Sequence, residues 1–526
     1  MPKRHLLAAA IAQLLITQSA QAAVIVVDST ADEQTNGNGC TLREAIINAN
    51  ADDQSGSTDC VAGSGGDEIQ LPAGQTITLT SQLPTIQSDV TISGGGARIQ
   101  RDSLACTLDN LPTADEFRLM TVAAPAGVFA ISNLVMANGC ADSSGGAILI
   151  SDIPSTITGM TFEGNQAQRG GAISFSGETS SSTVSQSSFV NNTAALFGGG
   201  AIYNTYTILQ LDDSTFTGNS AAQLGGAIEQ RGGPAANIQR STFSGNQAAT
   251  GGAIARNNGA MAISASTLAG NTASGGGGGV YMNAPYGSPK TATITNSTIS
   301  GNSSAQGGGI YLKDAGSLEL GDSTLADNVG GSGSQIYWTE GSTVNVTGSV
   351  LSGAYPACST VSTYPSGSYN LTTDTSCAVV GASVVAASLL NLGPLQDNGG
   401  PTETRALGPG SAAINAGGSG CAATDQRGES RPVGVACDVG AFELQQVVQS
   451  GTVLVVNALG DAGDGFCGPA IGDCTLRDAV LVANSNIDAS EITFDGSVFD
   501  GTKPSPCCPS STSCCRRSPS PASATR

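Results

Sequence analysis

The chain repeats itself. One phrase returns as MTFEGNQAQRGGAIS (160–174), SSFVNNTAALFGGGAIY (187–203), STFTGNSAAQLGGAIE (214–229) and STFSGNQAATGGAIA (241–255). It continues as STLAGNTASGGGGGVY (266–281), STISGNSSAQGGGIY (297–311) and STLADNVGGSGSQIY (323–337). Its large apolar residue falls at Phe162, Phe189, Phe216, Phe243, Leu268, Ile299 and Leu325, at spacings of 27, 27, 27, 25, 31 and 26. A period of this size marks a solenoid, in which each repeat buries its apolar side chains only against its neighbours.

Two further stacks keep the same period. Five residues before the first lie Ile157, Val184, Leu211, Ile238, Ile263, Ile294 and Leu320, and the relation extends outward to Phe129 with Leu134 and Val346 with Leu351. After the glycines come Ile148, Ile173, Ile202, Ile228, Ile254, Val280, Ile310 and Ile336. Each repeat thus supplies three short apolar-centred segments broken by Gly, Ser and Asn, with no helical period. The expected fold is all-β: a right-handed, three-sided parallel β-helix over residues 120–390, its coils about 4.8 Å apart. Identical positions then stack. Phe162, Phe189, Phe216 and Phe243 form a core stack, and Ser187, Ser214, Ser241, Ser266, Ser297 and Ser323 form a corner column. Asn165, Asn192, Asn219, Asn246, Asn271, Asn302 and Asn328 form a second polar ladder. Inside a turn a stacked amide donates and accepts along the stack and fixes register; a row of ligand-binding amides is the competing reading.

Composition agrees with a narrow core. The 526 residues are too many for one compact core, and 71 Gly accompany only 12 Phe, 9 Tyr and 1 Trp. Residues 1–22 read as a secretory signal, with Lys3, Arg4 and His5 before an apolar stretch at 6–16 and a small-residue cleavage site at Ala20-Gln21-Ala22. Without Lys3 and Arg4, 41 acidic residues face 18 basic ones, a net charge of −23. That balance argues against nucleic acid as a partner. No other stretch reaches membrane-spanning length.

Fourteen cysteines in an exported chain point to disulfides. Pairing by sequence neighbourhood joins Cys40 with Cys60, Cys106 with Cys140, Cys358 with Cys377, Cys421 with Cys437, and Cys467 with Cys474. All lie outside 141–357, so the bridges are expected to serve the ends.

Both ends of a β-helix need covers. Residues 23–119 are read as the N-terminal cap and first irregular coils. There Val24–Val27 is a strand, and CTLREAIINANA (40–51) an amphipathic helix with Thr41 and Glu44 as a capping box. Leu42, Ala45, Ile46 and Ala49 share its apolar face. Residues 391–446 break the repeat and are read as a C-terminal cap module, in which Asp425, Arg427, Glu429 and Arg431 look site-like but suit a cap held by Arg–carboxylate bonds. Residues 447–502 start the N-terminal block again, with Thr475 and Asp478 at the capping positions and Glu491-Ile492 echoing Glu68-Ile69. Residues 503–526 are a Ser/Pro/Cys/Arg stretch, read as the disordered tail of a truncated or frame-shifted copy.

The paired phrases F-x-x-N and G-G-A-I resemble the polymorphic outer membrane protein repeats, although later coils carry Leu or Ile for Phe. Cys40-Thr41-Leu42-Arg43-Glu44-Ala45 resembles the CSLREA-type N-terminal module of exported bacterial β-helix proteins, and residues 393–444 resemble a choice-of-anchor type module. These resemblances imply a passenger at the bacterial surface or outside the cell.

The mature chain would contain no histidine, which excludes Ser-His-Asp and Cys-His mechanisms. Carboxylate chemistry remains, with Asp212, Asp213, Asp322 and Asp327 as candidates; Asp213 and Asp322 lie four coils apart. No cofactor is expected, and the ion considered is calcium at Asp461 and Asp464, where an Asx turn competes. The expected function is adhesion or surface structure without catalysis, by a monomer with glycans or host or cell-surface proteins as partners. The alternative is a polysaccharide lyase or glycoside hydrolase using carboxylates on the β-helix face.

Overall fold

The computed structural model describes residues 22–500, apart from 104, 109–114, 124, 126, 179, 234, 285–290, 315, 361–364, 419, 447, 450–451, 462–464 and 486–489, together with 524 and 525. The expected signal segment and nearly all of the 503–526 tail lie outside the described residues.

The body is a right-handed parallel β-helix. One coil shows the plan. Its strands are Ser181–Ser185, Ser188–Val190, Thr193–Ala194 and Ile202–Thr205. Each pairs in parallel with the same position in the coils on either side: Val184 with Ile157 and Leu211, Phe189 with Phe162 and Phe216, Ile202 with Ile173 and Ile228. Among the described residues the first two strands of each coil belong to one long bent sheet, the third to an eight-stranded sheet and the fourth to a ten-stranded sheet. Three sheets are present, but two of the large apolar stacks share one of them. The eight-stranded side is lined by Ala167, Ala194, Ala221 and Ala248, all buried. Methyl groups suffice there, and no periodic large residue announced that side.

The core is continuous from Ile25 to Val380. The four phenylalanines stack with ring centroids 4.9, 4.5 and 4.7 Å apart. Polar residues intrude at one interior column of the ten-stranded sheet. There Asn204 donates to Gln230 Oε1 at 2.6 Å, and Arg256 is fully buried beyond them.

Hydrogen bonds at the corners set the register. Asn192 donates its Nδ2 to the Phe162 carbonyl of the preceding coil and to Asn219 Oδ1 of the following one, both at 3.0 Å. Its own Oδ1 accepts from the Asn165 N–H at 3.0 Å and from Asn165 Nδ2 at 2.9 Å. Each amide thus ties three coils together. The pattern runs to Asn328, where Gln335 Oε1 accepts the last amide bond. In the serine column each backbone N–H donates to the next Oγ at 3.1–3.2 Å, and each Oγ donates to the carbonyl two residues back.

The paired glycines answer two different demands. The first of each pair, as at Gly170 and Gly225, has φ of +56° and +64°, a left-handed conformation that a side chain disfavours. The second has no room: a Cβ at Gly200 or Gly226 would come within 3.0 Å of the glycine carbonyl of the next coil.

At the N-terminal end the helix Leu42–Ala51 has the capping box, with the Thr41 N–H donating to Glu44 Oε2 at 3.0 Å. Its apolar face is buried. At the other end the 3-10 helix Thr375–Val380, tied by the Cys358–Cys377 disulfide, completes the core with Cys377 and Val380. The remaining bridges join Cys40–Cys60, Cys106–Cys140, Cys421–Cys437 and Cys467–Cys474. Residues 391–446 were expected across the end of the coil. They lie instead along the flank of the bent sheet. Gln426 bonds Thr267 at 2.8 Å and Thr298 at 2.7 Å, the Ala441 N–H donates to Thr324 Oγ1 at 3.0 Å, and the Gly440 N–H donates to the Gly348 carbonyl at 2.8 Å. An outward threonine column supplies these contacts, a pattern that carries no hydrophobic signal.

The strand Val453–Val456 pairs with Glu491–Phe494 in the same register as Val24–Val26 with Asp67–Gln70, setting Glu491 where Glu68 stands. The helix Leu476–Ser485 repeats the first helix. Leu476 and Val480 are 46% and 42% exposed where Leu42 and Ile46 are 1% and 0% exposed.

The ladder makes a quantitative demand. Asn219→Ala leaves the Asn192 N–H and the Phe189 carbonyl without these partners, so it should cost about 3 kcal/mol in denaturant unfolding followed by circular dichroism. Thr217→Ala on the exposed side should cost about 0.5 kcal/mol or less. Equal effects would refute a structural ladder.

Candidate functional site

The acids singled out by sequence are occupied with structure. Asp213 and Asp322 stand at one corner position, with φ of +45° each, in line with Gln186, Arg240 and Asn296 at +49°, +44° and +45°. Asp327, at +57°, occupies the corner that most coils give to glycine, such as Gly218 and Gly245. Asp and Asn tolerate this left-handed geometry better than most residues. Each acid also has a partner: Arg240 bonds Asp212 and Asp213, Arg405 bonds Asp327, and Asp322 accepts the Ala422 N–H at 3.0 Å beside Arg431. Asp322 and Asp327 therefore anchor the flank segment.

The second set sits in that segment. Asp425 is buried and accepts from Arg427 at 2.7 Å and from the Glu443 N–H at 2.9 Å, while the Arg427 guanidinium lies 3.7 Å from the centre of the Phe442 ring. Arg431 lies against Glu443 at 3.2 Å, and Glu429 offers its carbonyl to the Asp425 N–H. These are internal ties. Asp461 pairs with Arg477 at 2.7 Å, and Asp464 lies outside the described residues. Cys106, Glu116 and Cys140 come together, but the two cysteines are bridged. A shallow groove of about 190 Å³ on the bent sheet, lined by Thr91, Ala130, Thr156 and Thr183 among others, presents no ionisable group.

A different cluster forms on the outer face of the ten-stranded sheet. The residue after each third-stack aliphatic points outward, giving a row of Ser174, Tyr203, Glu229, Ala255, Tyr281, Tyr311 and Tyr337. The last three rings stand 5.4 and 5.0 Å apart. Beside them runs a second outward row of Thr205, Arg231, Asn257, Asn283 and Lys313. Glu229 is 2% exposed and its Oε1 has no hydrogen-bond partner. Arg169 lies within electrostatic range of it from the neighbouring side, its guanidinium 4.0 Å from the Phe197 ring centre and 5.8 Å from that of Tyr203. Exposed Arg231 lies within electrostatic range of Glu229, Tyr203 and Tyr206.

Burial pushes the Glu229 carboxyl up to about 7, against the opposing pull of Arg231 and Arg169. The sequence makes room for it. Residues 198–200 are three glycines, and a Cβ at Gly198 would collide with Glu229 Oε2; Gly276 leaves space for Tyr311 in the same way. The extra glycine was the available signal, together with the residue following each third-stack aliphatic.

The shift sets a pH dependence. Folded Glu229 titrates near 7 against an ordinary value of 4.5, so the folded state holds its proton more tightly. Its stabilising contribution is complete below about pH 4.5 and is lost as pH rises through about 7. Glu229→Gln should therefore gain in melting temperature over the parent as pH rises from about 5 to about 8. Asp438, also raised to about 7, is common to both proteins and cancels. A pH-independent difference would contradict the assignment.

Residues 226–384 match the right handed beta helix region family, and residues 213–229 match the Chlamydia polymorphic membrane protein repeat. No curated protein and no solved structure matches the chain.

Proposed function

We propose that this chain is a non-catalytic β-helix protein of the cell surface or the extracellular space, whose rigid body displays an adhesive outer face. The observation that carries the reading is the strip on the ten-stranded sheet. It sets exposed Arg231 and Tyr206, half-buried Tyr203 and one buried carboxyl on a scaffold whose interior is fixed by ladders. Disulfide-bonded ends suit an oxidising compartment outside the cytosol. The repeat match at 213–229 supports a surface setting, as do the CSLREA-like residues Cys40–Ala45 and the anchor-like stretch 393–444. A net charge of −21 disfavours nucleic acid as the partner.

The enzymatic alternative has one observation in its favour: a carboxyl with a value near 7 suits a general acid. A glycosidase of the usual kind pairs two carboxyl groups, about 5–9.5 Å apart. The charged groups acting on Glu229 are arginines, and no second acid is among them. That weighs toward binding.

Beads coated with the purified chain should adhere to glycan-bearing cells, and the protein should release no new reducing or unsaturated ends from acidic and neutral polysaccharides. Cleavage abolished by Glu229→Gln would replace this reading with the enzymatic one.

A further inference from the structure

We propose that Arg169, Arg231, Glu229, Tyr203 and Tyr206 form a subsite for a carboxylate-bearing sugar, a uronate unit of an acidic glycan. The proposal deepens the adhesive reading and rests on it for its context.

Guanidinium groups match carboxylates as two-pronged donors, and their worth rises when the fork is held in place. Arg169 is held: it lies over Phe197, and its Nε is buried without a hydrogen-bond partner. Arg231 stands two coils further along, on the ten-stranded sheet, and is exposed. Tyr206 is packed against Gly232 and Gly233, where side chains would collide with it, yet remains 46% exposed. It is a braced aromatic surface of the kind a pyranose ring covers.

Glu229 completes the subsite. A buried oxygen without a partner is a standing cost that a ligand can relieve. A sugar hydroxyl beside the bound carboxylate would do so. Glycan is favoured over acidic peptide on this ground: a uronate ring carries hydroxyls beside its carboxylate, whereas a glutamate or aspartate side chain carries none. The row of Arg231 continues past the subsite as half-buried Asn257, Asn283 and Lys313, one step per coil. That step is comparable to the length of one pyranose unit.

Binding of the anion should favour protonated Glu229. The groups facing it are Arg231 on its own strand, Arg169 from the adjacent side, and Tyr203 from the neighbouring coil, while Tyr206 acts on Arg231. Affinity should therefore rise as pH falls through about 7.

The test is calorimetry on the full chain with a hyaluronan hexasaccharide, its methyl ester and poly-glutamate. The hexasaccharide should bind, and more tightly at about pH 6 than at about pH 8. The ester should bind at least about tenfold more weakly, as should the acid to Arg231→Ala, an exposed substitution that leaves folding intact by circular dichroism. Glu229→Gln should flatten the pH dependence of binding. The proposal is overturned if the hexasaccharide fails to bind, if ester and acid bind alike, if Arg231→Ala is without effect, or if poly-glutamate binds as tightly. Beads that adhere to cells while the hexasaccharide fails would remove this subsite and leave adhesion standing.

Discussion

The asparagine ladder is the interaction on which the rest depends. A parallel coil of Gly, Ser and Thr carries little local information about which residue should sit over which. A slip of one residue would turn every inward side chain outward. The buried amides forbid it, because each closes its bonds only when Met136, Phe162, Phe189, Phe216 and their successors present carbonyls at the right height. The phenylalanine stack then follows from register rather than creating it. The serine column repeats the constraint at a second corner, and the glycine pairs allow the coils to close to strand spacing.

Much of this was legible because it is periodic. Phe162 and Asn165 recur in sequence at the interval at which they stack in space, and the capping box of Thr41 and Glu44 is a local pattern. What escaped had no period or no strong chemistry. The alanine-lined side is built from residues common everywhere in the chain. The fold-back of residues 392–443 rests on Gln426, Thr267 and Thr298, polar side chains whose meeting spans more than a hundred residues. The Glu229 cluster escaped because its members come from different coils and different sides, and because the sequence drew attention to the stacked apolar residues rather than to their outward neighbours.

The acids teach a related lesson. Asp213, Asp322 and Asp327 drew notice as carboxylates, yet each occupies a corner that bends the backbone into the left-handed region, where other coils place Gly, Asn or Gln. Their carboxylates are then free to tie arginines, and in Asp322 and Asp327 they hold the flank segment against the sheet. Glu229 is the converse case. Nothing in its backbone requires a carboxyl, and its neighbourhood leaves one oxygen unsatisfied.

The spacing of the asparagines is uneven while their bonds are not. Asn246 and Asn271 are 25 residues apart and Asn271 and Asn302 are 31 apart, yet the amide bonds measure 2.9 and 2.8 Å. A difference of six residues between neighbouring coils leaves the ladder bonds unchanged. Inheritance can therefore lengthen, shorten or rewrite the exterior of any one coil without renegotiating the interior, and the surface can diverge quickly on a body that changes slowly.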